Sequence, residues 1–165
     1  MPTNTDTWFP LFEFADWVYQ SFLVLPTKEE DLASPGTAIT AKKWAKGALG
    51  LGQAFTSGDS YTVGGTLSFG PGIELTVSAK GAFGSGNTPA TFEATGTGTE
   101  GKIKGAIYQL TGWAFADQPV SQGAGVVRTI RGSIRAVRGP DAKPESEPGG
   151  MPLGTVGLFV IIRTN

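Results

Sequence analysis

Glu93 carries a carboxyl group, which an acid–base site requires. Its surroundings decide whether this carboxyl group can act as an acid or a base. It lies on one face of a segment in which polar and apolar residues alternate, together with Thr91, Thr95 and Thr97. If this face lines a cavity, Glu93 is a semi-buried carboxylate that can serve as a general acid or base. If the face meets solvent, Glu93 is an ordinary exposed residue, as most charged residues are. Phe92, on the opposite face, is a candidate wall for an apolar ligand.

Three aromatic residues of a later segment, Tyr108, Trp113 and Phe115, are candidates for the same kind of site. In a pocket, Trp113 and Phe115 would supply apolar walls, and the Tyr108 hydroxyl would orient a ligand carbonyl. The alternative is plain core packing. Tyr108 and Trp113 fall on opposite faces of a regular strand, so only one of them can line a given cavity unless a bulge intervenes. Tyr61, on an earlier alternating segment, is a further candidate ligand-binding residue.

Two basic clusters could recognise an anion. One contains Arg128, Arg131, Arg135 and Arg138, and the other contains Lys42, Lys43, Trp44 and Lys46. The arginines could hold an anionic ligand or an RNA backbone, or form a solvated strand face paired with acidic neighbours. Arg131 is included among the candidate ligand-binding residues. The net charge of −1, from 13 basic and 14 acidic residues, argues against a nucleic-acid partner.

The absence of histidine and cysteine excludes several chemistries. The sequence contains neither residue, so Ser-His-Asp and Cys-His nucleophile systems and the usual zinc sites are impossible. Acid–base chemistry would have to use Asp, Glu, Lys or Tyr. No phosphate-binding loop or dinucleotide fingerprint occurs, and we expect neither a metal nor a cofactor.

Short strands are the elements that would position these residues. The chain has 165 residues, 25 of them glycine, which suits tight turns and barrel corners within one domain. Alternating segments separated by turn signals predict strands over 51–57, 61–69, 73–83, 91–99, 103–115 and 155–163. We therefore expect an all-β fold, a single antiparallel barrel of about eight strands spanning residues 1–165. Residues 1–46 would form an aromatic-rich segment and connection packed on the glycine-rich strands of 47–165.

For three segments the sequence is compatible with both a helix and a strand. Residues 11–22 could form a helix, with a strand over 22–25, and residues 37–46 could form a short helix or a strand. In residues 126–138 the arginine spacing fits an amphipathic helix, whereas Gly132 and many β-branched residues favour a strand. We favour the strand, in which Ile130, Ile134 and Ala136 face inward.

Residues 92–106, FEATGTGTEGKIKGA, resemble a stretch of dirigent proteins and allene oxide cyclases. In those families a Gly-Thr-Gly tract is followed by a turn and a strand of small residues. The resemblance implies an eight-stranded, calycin- or allene-oxide-cyclase-like barrel with a central apolar cavity. Members of these families steer the cyclisation or coupling of reactive intermediates, or bind hydrophobic small molecules. No active-site motif matches, so no catalytic residue is carried over.

These observations lead to two functional hypotheses. In the first, the barrel binds a hydrophobic small molecule and could catalyse its cyclisation or isomerisation without a cofactor, with Glu93 and Tyr108 as catalytic groups. In the second, the chain is a structural protein that forms a homo-oligomer and has no catalytic activity. The apolar stretch 8–25 contains Glu13 and Asp16 and lacks a basic start, which argues against a signal peptide or membrane span. We therefore expect a cytoplasmic protein.

Overall fold

Eight strands close into a single antiparallel barrel in the computed structural model of this chain. The structure describes residues 16–25, 40–57, 60–82, 90–116, 127–145, 153 and 156–164. The strands are β1 (Asp16–Leu25), β2 (Thr40–Ser57), β3 (Ser60–Gly70), β4 (Ile73–Ala82), β5 (Ala90–Gly98), β6 (Ile107–Ala116), β7 (Val127–Arg138) and β8 (Val156–Arg163). Each strand pairs with the next, and β8 pairs with β1 to close the sheet. The predicted fold class is confirmed.

Alternation of apolar and polar side chains places one face of each strand inside the barrel. The buried side chains include Leu75, Val77 and Ala79 of β4 and Ala90, Phe92 and Ala94 of β5. The intervening residues of β5 are exposed or half-buried, among them Thr95 and Glu93. Because one face is apolar throughout the sheet, a one-residue slip in register would turn that face to water, so the pattern fixes the register.

The barrel begins before residue 47, where the glycine-rich part was expected to start. Asp16–Leu25 forms β1, so the helix considered for residues 11–22 does not form over 16–22. Thr40–Ser57 forms β2, which settles the open choice for 40–46 in favour of a strand. Trp17 and Tyr19 are 1% exposed and point into the barrel, so these aromatic residues are part of its wall. The expected packing of residues 1–15 lies outside the described residues.

The strand interpretation of 126–138 is confirmed over Val127–Arg138, and Ile130, Ile134 and Ala136 are buried as expected. The strand predicted from residue 103 begins only at Ile107, after a 3-10 turn at Gly101–Ile103. Gly101 and Gly105 have positive φ angles of 67° and 87°. Glycine adopts this conformation at no steric cost, so the connection can turn at these two positions before β6 begins. No helix in the described part of the chain is long and apolar enough to cross a membrane.

Gly112 of β6 and Gly132 of β7 lie opposite each other and allow the two strands to approach closely. A Cβ atom added at Gly112 would collide with the Arg131 carbonyl oxygen, and one added at Gly132 would collide with the Thr111 carbonyl oxygen. Glycine is therefore required at both positions for the tight curvature of the wall.

A β-bulge near the start of β2 shapes the open end of the barrel. Two residues of β2, Trp44 and Ala45, lie opposite the single residue Ser21 of β1. The Ser21 hydroxyl accepts a hydrogen bond from Ala45 N at 3.2 Å, and Gln20 Nε2 donates to Ala45 O at 3.1 Å. These side chains satisfy backbone groups that the interrupted ladder leaves unpaired, and the bulge turns Trp44 toward the interior.

Candidate functional site

A cavity of about 610 Å³ opens at the end of the barrel where the β3–β4, β5–β6 and β7–β8 connections lie. Its volume is within the range of roughly 300–1,000 Å³ that is usual for small-molecule sites. Apolar side chains from all eight strands dominate the lining, including Leu49, Leu67, Leu75, Val77, Phe92, Ala94, Leu110, Ile134 and Ile161. We call the space the mouth cavity.

An aromatic layer across the barrel forms the floor of the mouth cavity. The Tyr19 and Phe159 rings stack with centroids 6.3 Å apart, and Phe92 lies 6.2 Å from Phe159. Below this layer the barrel is filled by side chains that include Trp17 and Tyr61, each 1% exposed. The half of the barrel that is open to a ligand is therefore the half opposite the start of β1 and the end of β8.

Tyr108 presents its hydroxyl to the cavity. The residue is 7% exposed and lines the space, and no hydrogen bond joins its hydroxyl to any residue that the structure describes. Burial raises the pKa of Tyr108 to about 12, so the phenol stays protonated at neutral pH. The lining therefore contains a hydrogen-bond donor that a ligand can use at little cost to the protein.

Tyr19 places a second phenol near the first. Burial raises the pKa of Tyr19 above its ordinary value, a hydrogen bond with Ser21 partly offsets this effect, and the neighbouring Tyr108 phenol adds to it. Because this hydroxyl already has a protein partner, Tyr108 is the better placed of the two to bind a polar atom of a ligand.

The rim of the cavity combines aromatic rings with two lysines. Trp44 lies 6.3 Å from Tyr108 between ring centroids, and Phe69 packs edge-on against Tyr19 at 5.8 Å. Lys46 of β2 and Lys102 of the 3-10 turn also line the space. The rim therefore combines aromatic rings with polar connections, whereas the floor is apolar.

Hydrogen bonds hold the β7–β8 connection against the β5–β6 connection at this rim. Arg138 Nη1 donates to Gly105 O at 2.7 Å and pairs with Asp141 at 2.6 Å. Asp141 N in turn donates to Lys104 O at 2.8 Å. These contacts fix the part of the rim where Pro140 and Ile103 border the cavity.

Of the predicted site residues, Tyr108, Phe92 and Tyr61 point into the barrel, and only the first two line the mouth cavity. Tyr61 lies in the filled half, where its hydroxyl donates to Thr91 O at 2.7 Å. Burial raises the pKa of Tyr61 above its ordinary value, and the nearby Glu93 carboxylate adds to the shift. Tyr61 therefore has a structural partner and does not reach the cavity.

Glu93 lies on the outer face of β5 and is exposed. It is opposite Lys80 of β4 in the sheet register, so it faces solvent, as in the second alternative weighed for this residue. The structure does not bring Glu93 and Tyr108 together, because Glu93 faces outward from β5 whereas Tyr108 faces into the barrel from β6. Among the described residues, no carboxylate lines the mouth cavity.

Trp113, Phe115 and Arg131 lie together on the outside of the barrel. The Arg131 guanidinium lies 4.6 Å from the centre of the Phe115 ring, and Trp113 is 47% exposed. With Leu158 and Ile162 of β8, which are 46% and 49% exposed, they form what we call the outer apolar face. The opposite-face prediction for Tyr108 and Trp113 is confirmed, and the predicted ligand-binding set is divided between two surfaces.

Several cavity residues were missed in the sequence. The sequence places Trp44 only in a basic cluster, and its inward position depends on the bulge opposite Ser21. Lys102 lies in the 3-10 turn that borders the cavity. Gly96 lies on the inner face of β5, where an added Cβ would meet only the Leu75 side chain, at 3.3 and 3.8 Å. The other cavity residues of β4 and β5 could have been found from the alternation of apolar and polar residues in these two strands.

The described residues contain no group of three or more carboxylates that could hold a metal ion. What the cavity can do chemically is enclose an apolar body and donate a hydrogen bond from Tyr108. Comparisons of this chain with protein-family models, characterised proteins and solved structures found no match, so none of them bears on its family or on the resemblance to dirigent proteins and allene oxide cyclases.

Proposed function

We propose that this barrel binds a hydrophobic small molecule in the mouth cavity. The observation that carries the proposal is an open apolar space of about 610 Å³ that Tyr108 lines with a hydroxyl that has no hydrogen-bond partner among the described residues. Burial of the ligand against the leucine, isoleucine and valine walls would supply the free energy of binding. The Tyr108 hydroxyl would fix the ligand's orientation by donating a hydrogen bond to one oxygen of the ligand.

Cyclisation or isomerisation without a cofactor is the class of catalysis that this lining supports. The protonated phenol of Tyr108 can stabilise a developing negative charge on a ligand oxygen, and the fixed walls can hold a reactive conformer. Glu93 does not contribute in this proposal, because it lies outside the barrel. Binding is therefore the primary function proposed, and Tyr108 is the candidate catalytic residue within it.

A cavity-filling substitution tests the proposal. Gly96→Leu directs a side chain into the cavity, whereas Gly50→Leu makes the same change on the outside, where no atom lies within 4 Å of an added Cβ. Titration with Nile red, a neutral dye whose fluorescence rises in apolar surroundings, measures occupancy. We expect Gly96→Leu to weaken dye binding at least tenfold and Gly50→Leu to change it less than twofold.

Two further measurements keep this test decisive. The thermal midpoint of Gly96→Leu should stay close to that of the unsubstituted protein, and Ala94→Phe, which fills the cavity from the same strand, should also weaken binding. Dye binding that is equally strong in Gly96→Leu, Ala94→Phe and the unsubstituted protein would refute the mouth cavity as the ligand site. Absence of dye binding to the unsubstituted protein would refute the proposed function itself.

Assembly into a homo-oligomer is the second candidate function, and the outer apolar face favours it. Leu158, Ile162 and Trp113 are each nearly half exposed on the same side of the barrel, and exposed large apolar side chains grouped on one face can mark an interaction surface. A second copy of the chain would cover this face with the same face of its own, as in a two-fold dimer. Sizing of the unsubstituted protein and of Ile162→Glu over a range of concentrations tests it. A single concentration-independent monomer in both proteins would refute it.

A further inference from the structure

We propose that the Trp44 side chain is a lid on the mouth cavity, which closes over a bound ligand and moves aside when the ligand enters or leaves. The inference rests on the proposed function, because a lid controls access only where a ligand binds. Trp44 lines the mouth cavity, and its ring contacts the ring of Tyr108. This contact runs from one side of the barrel to the other, and it is the observation behind the proposal.

Trp44 and Tyr108 come from opposite walls of the barrel. Trp44 lies on β2 and Tyr108 on β6, and these strands are four apart in either direction around the closed sheet of eight. The two ring centroids are 6.3 Å apart and the ring planes are tilted by 52°, a separation at which aromatic rings are in contact. Side chains from opposite walls can touch only near the barrel axis, so the pair lies across the opening.

The Trp44–Tyr108 pair lies at the mouth end of the cavity, away from the aromatic floor. Tyr108 is the second residue of β6, which begins after the 3-10 turn at the mouth. Phe92 of the floor lies opposite Gly112, four residues further along β6, which is about 13 Å of strand. Three cavity-lining residues lie between the two layers, Ala94, Leu110 and Ile134. A ligand that rests on the floor therefore has the pair across its path to solvent.

Of the two rings, the one that can move is Trp44. Tyr108 is 7% exposed, and its backbone lies in regular register with Gly96 of β5 and Ala136 of β7. Trp44 is half-buried and lies at the bulge opposite Ser21, where the β1–β2 register is interrupted. A half-buried ring at a break in the ladder loses less packing when it changes rotamer than a ring enclosed by paired strands does.

A ring in this position would slow the exchange of a ligand in both directions. A ligand can pass only while Trp44 is displaced, so the rate of entry is reduced to the fraction of time that the ring is open. While closed, the ring would contact the ligand and keep water away from its hydrogen bond with Tyr108. Removal of a lid therefore speeds both entry and release, whereas removal of an ordinary wall residue speeds release alone.

Stopped-flow fluorescence with Nile red and the full chain measures both rates, with mixing to follow entry and dilution of the complex to follow release. In Trp44→Ala we expect entry to be about fivefold faster or more, and release about tenfold faster or more. Trp44→Phe keeps a smaller ring at the same position and should give intermediate rates. Phe55→Ala removes a ring that is 62% exposed on the same strand, and as the matched control it should leave both rates within about twofold.

A second variant tests the lid without removing its ring. Ser21→Ala deletes the hydroxyl that accepts a hydrogen bond from Ala45 N at the bulge, so Trp44 is held less firmly over the opening. Entry and release should both be faster than in the unsubstituted protein. This variant and Trp44→Phe keep the test decisive if Trp44→Ala does not fold.

The possible outcomes separate the lid from the proposed function. Faster release with unchanged entry in Trp44→Ala would overturn the lid, because Trp44 would then be a wall that contacts the ligand. Unchanged rates in both directions would overturn it as well, and in either case the cavity would remain a hydrophobic ligand site. Absence of Nile red binding to the unsubstituted protein would instead remove the proposed function.

Discussion

Replacing Tyr108 with phenylalanine is expected to reduce the loss of stability that this barrel undergoes at alkaline pH. Burial raises the pKa of Tyr108 from the ordinary value of 10.0 to about 12. Between these two values the unfolded chain releases the phenolic proton while the folded chain retains it. The stabilising contribution is therefore complete below pH 10 and is lost as the pH rises toward 12.

The size of the effect follows from the shift. Two pKa units at about 1.36 kcal/mol each give a limit of about 2.7 kcal/mol, of which about 2 kcal/mol is lost by about pH 11.5. Tyr19 and Tyr61 also have pKa values raised by burial, and both remain in the variant. The difference between the two proteins therefore reports Tyr108 together with the smaller effect that its phenol has on the pKa of Tyr19.

Urea unfolding measured from pH 8 to about pH 11.5 provides the assay. At pH 8 the free energies of unfolding should agree within about 0.5 kcal/mol, because the Tyr108 hydroxyl makes no hydrogen bond to a described residue that the variant would lose. By about pH 11.5 Tyr108→Phe should be the more stable protein by about 2 kcal/mol. Parallel curves over the whole range would refute the burial of the phenol and its role as a protonated donor.

The remaining predictions concern the wall and the rim. Gly112→Ala should destabilise the barrel by about 2 kcal/mol or more, because its Cβ would collide with the Arg131 carbonyl, whereas Gly50→Ala should cost less than about 0.5 kcal/mol. Both values follow from urea unfolding at pH 7.5, and equal effects would contradict the close approach of β6 and β7. Ser21→Ala should cost about 1–2 kcal/mol, since it leaves Ala45 N without its hydrogen-bond acceptor. It should also weaken Nile red binding, since Trp44 is positioned by the same bulge, and unchanged binding would show that the bulge does not need Ser21.

The fold could be predicted because its signal is local. Each strand can be recognised by itself from apolar residues at every second position, as in Leu75, Val77 and Ala79, and from the glycine-rich turns at its ends. Closure into a barrel is then the way in which this many antiparallel strands bury a shared apolar face and leave no free edge. Residues 16–25 were harder, because a run that is apolar on both faces lacks a clear period and suits a helix equally well.

The candidate site could be predicted only in part. Tyr108 and Phe92 follow the period of their strands, so their inward direction was readable. The inward direction of Trp44 depends on an extra residue inserted opposite Ser21, and a bulge of this kind leaves no distinct mark in the sequence. Lys102 reaches the cavity through the path of a turn, which depends on two positive φ angles.

Trp113 shows a further limit of the sequence. Aromatic residues on both faces of β6 predict either a covered strand or a cavity wall, and which face lines the cavity depends on the neighbouring strands. Here Tyr108 is inside, and Trp113 lies outside beside Arg131. The aromatic residues of β6 thus belong to two different surfaces, the mouth cavity and the outer apolar face, and only the three-dimensional structure shows which residue belongs to which.

The central claim, that an apolar ligand occupies the mouth cavity, is tested most directly by methyl NMR spectra recorded during a titration with decanol. Perturbed methyl signals from Ala94, Leu110 and Ile134, with unchanged signals from Leu158 and Ile162 on the outer apolar face, are the expected result. Perturbation confined to Leu158 and Ile162, or no perturbation at saturating decanol, would contradict the claim.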